Sequence, residues 1–197
     1  MKWARAIHHL DSLAQSCAER AVLPTSVFPL RVTQLWAVGD VLGPPRDLDF
    51  VTVALCVDLP VEDVPWWTEP PGSQHWANAT RLAKNPVLAW WRSVHAPVWN
   101  HRIEQPALIW DEVDGTREET LAALGNGRGD SVRSAAPAEN DLRVRLRDEV
   151  AVSLRGLQER TRVYEEKRWS PGKMEPVADA LWRAADGYLD VLAAIPR

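Results

Sequence analysis

The chain has 197 residues, of which 46% are hydrophobic and 25% are charged. This composition is typical of a folded globular protein and excludes a disordered chain. The length suits one medium domain, or a small α/β domain with a helical extension. The formal net charge of −4 gives no general attraction to nucleic acid or to an anionic membrane, although a local basic face would be compatible with it.

The only two cysteines, Cys17 and Cys56, stand far apart in apolar surroundings. Two isolated cysteines form neither a disulfide framework nor a metal cluster, so both are interpreted as buried, reduced thiols. Asp11 and Glu19 interrupt the N-terminal segment, which therefore does not resemble a signal peptide. No run approaches the ~20 apolar residues that span a bilayer. We therefore expect a cytoplasmic protein with no membrane partner.

The first sixty residues predict one helix followed by two strands. Apolar residues recur at helical spacing over 3–21, which predicts an amphipathic helix. Val32–Leu42 and Phe50–Leu59 are rich in Val, Leu and Thr, as strands are. The second run is almost continuously apolar, which predicts a strand covered on both faces.

Proline punctuates the middle of the chain, where the predicted elements are short. Ser73 is a candidate cap for a helix over 74–85. A further short helix is expected over Leu88–Val94. A third clear strand is predicted at Ala107–Trp110, and a helix over Glu118–Leu124.

The segment "GNGRGDSVRSAAPAEN", residues 125–140, carries no periodic apolar signal and is the best candidate boundary. It divides an α/β domain over 1–125 from a helical region over 138–197 that we expect to pack on it. Apolar stripes run from 142 to 164 and from 177 to 192. Two long helices joined by so short a connection are expected to pack antiparallel.

Asp47 and Asp49 stand one residue apart before the second predicted strand. Residues two apart in an extended chain point the same way, so both carboxylates would lie on one side. Such oxygen ligands suit Mg²⁺ holding a polyphosphate, and Asp111, at the end of a separate strand, is a candidate third ligand. The alternative is a solvated strand end, because aspartate also favours turns.

A strand ending in glycine, a short turn, and Asp-aliphatic-Asp before a second strand together resemble the nucleotidyltransferase superfamily of DNA polymerase β. The order of preceding helix, paired strands, later acidic strand and helical C-terminus is similar to its small bacterial members. The resemblance covers roughly residues 3–115. It implies an α+β fold, with a small mixed nucleotidyltransferase-like sheet followed by a C-terminal helical hairpin or bundle. The chain also resembles an uncharacterised bacterial family with a "GDVLGPPRDLD" core and a "WSPGK" segment.

Carried over to this chain, the resemblance implies that Asp47, Asp49 and Asp111 are the catalytic, Mg²⁺-binding acids. Nucleotide binding would involve Gly39, whose backbone approaches the triphosphate, with Asp40 and Arg46 beside it. Asp40 departs from the pattern, because active members have a small residue there and a carboxylate repels phosphate. Arg46 would partly compensate for that charge. Lys173 of "WSPGK" is a further candidate phosphate ligand, although Ser-Pro-Gly between helices is also ordinary turn chemistry.

Three functions follow from these patterns. The first is an enzyme that transfers a nucleoside monophosphate from a Mg²⁺-bound nucleoside triphosphate to an unknown acceptor. The second is a catalytically degenerate module of the same fold that binds a ligand or a protein partner. The third is an interaction protein that forms a homodimer, or binds a neighbour, through tryptophan-rich or helical surfaces.

Overall fold

A computed structural model describes residues 1–195 of the chain. Its five helices are α1 (Trp3–Ala21), α2 (Ser73–Ala79), α3 (Glu118–Gly125), α4 (Glu139–Lys167) and α5 (Glu175–Ala194). Its five strands are β1 (Val32–Val38), β2 (Val51–Val57), β3 (Val87–Ser93), β4 (Ala107–Asp111) and β5 (Gly115–Thr116). Among residues 1–195, no helix combines the length and the apolar character that crossing a membrane requires.

The strands form one open sheet in the order β3-β2-β1-β4-β5. Strands β2 and β3 are parallel, whereas the other three neighbouring pairs are antiparallel. The sheet is therefore mixed, and the chain ends in a pair of helices that pack along each other. The α+β class, the mixed sheet and the C-terminal helical pair are confirmed.

Helices cover the sheet on both faces. On one face, Leu35 of β1 and Leu55 of β2 pack in a core with buried residues of α1, such as Leu10. On the other face, a second core joins Ala54 and Cys56 of β2 to residues of α4 and α5. The side chains of β2 therefore contribute to both cores, as its nearly continuous apolar sequence predicts.

The helix expected over 74–85 ends at Ala79. Gly72 stands at its N-cap, so Ser73 is its first residue and not its cap.

Two further elements differ from the sequence expectations. Residues Val87–Ser93 form strand β3 and not a helix, because they pair in parallel with the whole of β2. Strand β1 ends at Val38 and not at Leu42, because Gly39 has a left-handed φ of 71° and begins a 3-10 turn. Only glycine adopts such a φ without steric cost, so this position ends the strand.

Candidate functional site

The paired aspartates lie in the loop before β2. Leu48, between them, is buried, and its N–H donates to the carbonyl oxygen of Met1 at 2.9 Å. Asp47 and Asp49 on either side of it are both exposed. The loop therefore holds Leu48 toward the core and leaves the two carboxylates toward solvent.

Asp111 lies at the opposite end of the sheet from this pair. It pairs with Gln34 near the start of β1, whereas the start of β2 pairs with Val38 at the end of β1. Gln34 and Val38 are four residue steps apart along the strand, which amounts to ~13 Å. The structure therefore does not bring Asp111 to Asp47 and Asp49. Within residues 1–195, no cluster of three or more His, Cys, Asp or Glu side chains is arranged to hold a metal ion.

The carboxylate of Asp111 is already engaged in a turn. It accepts hydrogen bonds of 2.9 Å from the N–H groups of Val113 and Asp114, and one of 2.7 Å from Arg117. Burial alone would raise the pKa of Asp111, but these hydrogen bonds outweigh it and lower the pKa. This donor set fits a structural role that closes the β4–β5 hairpin and does not fit a shared Mg²⁺ site.

Three of the predicted nucleotide-binding residues line one open cleft. Gly39, Asp40 and Arg46 lie beside the end of β1, in a cleft of about 330 Å³. An Arg46 nitrogen is 2.6 Å from Asp40 Oδ1, so the guanidinium offsets the carboxylate that departs from the nucleotidyltransferase pattern. Open space surrounds the Cα of Gly39 where a side chain would stand, so its backbone is accessible from the cleft.

Two further arginines line the same cleft, together with Glu104. Arg102 donates through Nε to Asp190 of α5 at 3.1 Å, and Arg133 donates through Nε to Asp130 at 2.8 Å. We call the cleft lined by Gly39, Asp40, Arg46, Arg102, Glu104 and Arg133 the arginine cleft. Sequence reasoning missed Arg102, Glu104 and Arg133, because nothing in their spacing indicates that they converge.

Asp190 fixes one wall of the arginine cleft. Besides Arg102, it accepts hydrogen bonds from Trp66 Nε1 at 2.9 Å and from His101 Nε2 at 2.8 Å. Burial alone would raise the pKa of Asp190, but the bonds from Arg102, Trp66 and His101 outweigh it and lower the pKa to about 2. The carboxylate therefore stays ionised at neutral pH and ties α5 to the segment that carries Arg102.

Lys173 does not join this cleft. It precedes α5, which begins at Glu175, whereas Asp190 lies near the other end of that helix. Glu175 and Asp190 are fifteen residue steps apart along the helix, which amounts to ~22 Å. The structure thus places Lys173 beyond the reach of a ligand held by Arg102.

A buried polar network, which sequence reasoning also missed, joins β3 to α4. Glu149 lies within hydrogen-bonding distance of Arg92, of Arg145 at 2.9 Å and of Asn100 at 3.0 Å. All four residues are at most 9% exposed. Burial would raise the pKa of Glu149, but the charges of Arg92 and Arg145 outweigh it and lower the pKa. One carboxylate therefore balances two buried guanidinium groups.

The tryptophans divide between core and surface. In each of the adjacent pairs, one ring is buried (Trp66 and Trp91) and one is half-buried (Trp67 and Trp90). Trp169 and Trp182, in the C-terminal helical region, are 81% and 64% exposed. Each adjacent pair therefore leaves one ring partly exposed to solvent.

Comparison with known proteins gives a family and no characterised relative. No curated protein matches the chain, and no solved structure does. Residues 1–197 match one family model, described as "Domain of unknown function (DUF7711)". Since the match covers the whole chain, this protein belongs to that family.

Proposed function

We propose that the protein is a binding module that takes a phosphate-bearing small molecule, such as a nucleotide, in the arginine cleft. One observation carries this proposal: Arg46, Arg102 and Arg133, from three separate segments of the chain, line one open cleft beside Gly39. A nucleotidyltransferase-like origin of the fold is part of the proposal. The antiparallel β1–β2 pair, with Gly39 after the first strand and Asp49 before the second, supports that origin.

The arginine cleft would bind an anion through its free N–H donors and not through net positive charge, because each arginine is paired with an aspartate. Three guanidinium groups and two carboxylates, those of Asp40 and Glu104, line it. Each arginine contacts one aspartate, which orients the guanidinium but engages only part of its five N–H donors. The remaining donors suit the tetrahedral oxygens of a phosphate, which arginine binds with planar, paired hydrogen bonds.

Nucleotide transfer is the second candidate function, and it rests on Asp47 and Asp49. Both carboxylates are exposed on the two sides of buried Leu48, so neither is consumed by the fold. The position of Asp111 favours the binding module over the enzyme, because the third acid of the proposed mechanism lies at the other end of β1.

Isothermal calorimetry with ATP, GTP, CTP and UTP, each with and without Mg²⁺, tests the proposal. We expect at least one nucleotide to bind. Arg46→Ala should then weaken binding by about 10- to 100-fold, the loss expected for one charge-assisted hydrogen bond. Arg143→Ala is the matched control, because Arg143 is a surface arginine on α4 with its own ion pair to Glu139. Equal weakening in both variants, or no binding by any nucleotide, would refute the arginine cleft as the site.

The same preparation separates the module from the enzyme. Incubation with nucleoside triphosphate labelled at the α-phosphate should leave the label on free nucleotide if the protein only binds. Labelled protein, RNA or small molecule that disappears in Asp49→Asn would instead establish transfer. Asp11→Asn, which makes the same change on α1, is the control for that loss.

A further inference from the structure

The two edges of the sheet differ in length. Strand β5 consists of Gly115–Thr116 alone, whereas β3, at the other edge, has seven residues. Proteins commonly protect a long edge with proline, lysine or a covering segment, because its unpaired backbone groups bind other strands. Strand β3 has no proline and no lysine, and its Leu88 is 42% exposed.

The parallel register with β2 shows which backbone groups of β3 point away from the sheet. Val51 N–H donates to Pro86 O, and Val94 N–H donates to Val57 O. Because backbone groups alternate along a strand, the even-numbered residues of β3 bond to β2 and the odd-numbered residues face outward. The backbone N–H and C=O groups of Ala89 and Trp91 therefore form no hydrogen bond with any of the residues 1–195.

These free groups lie in a groove with aromatic walls. The β3 side is formed by residues 88–91, and the walls by Trp67, Trp182 and their neighbours, around a volume of about 320 Å³. Trp67 holds a left-handed φ of 61°, which is rare for a bulky residue. Its indole N–H is buried without a partner among the described residues. We call this feature, lined by Trp67, Leu88, Ala89, Trp90, Trp91 and Trp182, the edge groove.

The charges of the edge groove indicate what it accepts. Thr68, Glu69 and Arg183 complete its lining. Glu69 and Arg183 are its one acid and its one base, and they form an ion pair with each other. A charged side chain entering the groove would lose water without gaining a counter-ion. The complementary occupant is therefore an uncharged, apolar segment.

We propose that the β3 edge binds an extended, uncharged segment of a partner protein, which adds to the sheet as a sixth strand. The free groups of Ala89 and Trp91 supply up to four backbone hydrogen bonds, and the tryptophan walls receive the apolar side chains of the segment. A single extended strand enters a walled groove more readily than a second copy of this chain does. The Trp67 and Trp182 side chains of a second copy would collide with the same side chains of the first.

The experiment uses the full chain and a defined probe, a capped, fluorescently labelled heptapeptide of alternating threonine and valine. Fluorescence anisotropy measures its binding at concentrations up to about 1 mM. The control probe carries N-methyl groups on its three central residues, which removes donors without removing side chains. We expect N-methylation to weaken binding at least tenfold, because several backbone hydrogen bonds are lost.

Two protein variants locate the site. Ala89→Pro removes an outward N–H and leaves the ladder to β2 intact, because proline is tolerated where the N–H faces away from the sheet. It should weaken binding at least tenfold. Trp182→Ala removes one wall and should weaken binding severalfold, whereas Trp169→Ala deletes a more exposed indole outside the groove and should not. Circular dichroism shows whether Ala89→Pro folds. If this variant does not fold, the comparison of Trp182→Ala with Trp169→Ala decides whether the peptide binds in the edge groove.

Four results would overturn the proposal. They are no binding of the heptapeptide, equal binding of the N-methylated probe, equal binding by the folded variants, and a dimer in light scattering that Ala89→Pro dissociates. The last result would assign the edge groove to a second copy of the chain.

Discussion

The buried network around Glu149 gives the sharpest stability prediction. Glu149→Gln keeps the shape of the side chain and one oxygen acceptor but removes the negative charge. Arg92 and Arg145 would then remain buried with no carboxylate between them. Removing one partner of a buried ion pair costs about 3–5 kcal/mol, because the remaining charge is left uncompensated. For a chain of this length, that loss lowers Tm by about 6–20 °C.

Urea unfolding followed by circular dichroism measures this loss. Glu159→Gln is the matched control, because it removes the carboxylate of an exposed ion pair with Arg162 on the same helix. We expect the control to leave the free energy of unfolding almost unchanged, because solvent and salt screen an exposed ion pair. Adding Arg145→Met to Glu149→Gln should recover part of the loss, since only one buried charge then remains. A loss below about 1 kcal/mol in Glu149→Gln would refute the reasoning.

Three further predictions follow from burial, backbone contacts and the pKa of Asp190. The folded-state pKa of Asp190 is about 2, below its ordinary 3.8, so its contribution to stability is complete above pH 3.8 and is lost as pH falls toward 2. Asp190→Asn should therefore lower Tm at pH 7 and change it much less near pH 2. Gly187→Ala should destabilise by about 2 kcal/mol or more despite the better helix propensity of alanine, because its Cβ would overlap the backbone of the 66–67 segment. Gly125→Ala, which meets open space, should be close to neutral in the same thermal scan. Burial raises the pKa of the Cys17 thiol, and raises that of Cys56 to about 12. Ellman's reagent at pH 8 should therefore react with neither thiol in the native protein and with both in guanidinium chloride.

Much of the fold could be predicted from local patterns. The stripe that buries Leu10 and Cys17 repeats at helical spacing over the full length of α1. The apolar run of β2 indicates a strand covered on both faces. Strand β3 was not predicted, because apolar and polar residues do not alternate regularly through Trp90, Trp91 and Arg92. The burial of Arg92 depends on Glu149, a residue 57 positions away.

Strand order, which the sequence motifs do not reveal, decides which of the candidate site residues come together. Asp111 ends an apolar strand, as predicted, but β4 pairs with β1 on the side away from β2 and in the antiparallel direction. That pairing carries Asp111 away from Asp47 and Asp49. Arg102 and Arg133 reach the cleft through loops, whose positions depend on contacts with α5 and with Asp130. No local periodicity encodes either arrangement.

The parallel pairing of β2 and β3 also constrains how the molecule assembles. The β1–β2 pair is joined by the short segment 39–50, whereas residues 58–86 must close before β3 can align with its neighbour. Longer loops close at a greater entropic cost, and non-local parallel pairing is intrinsically slow. Pulse-labelling hydrogen exchange should therefore protect the amide of Ala54, which faces β1, before that of Trp90 in β3. Simultaneous protection of both amides would show that the central strand and its parallel neighbour form in one step.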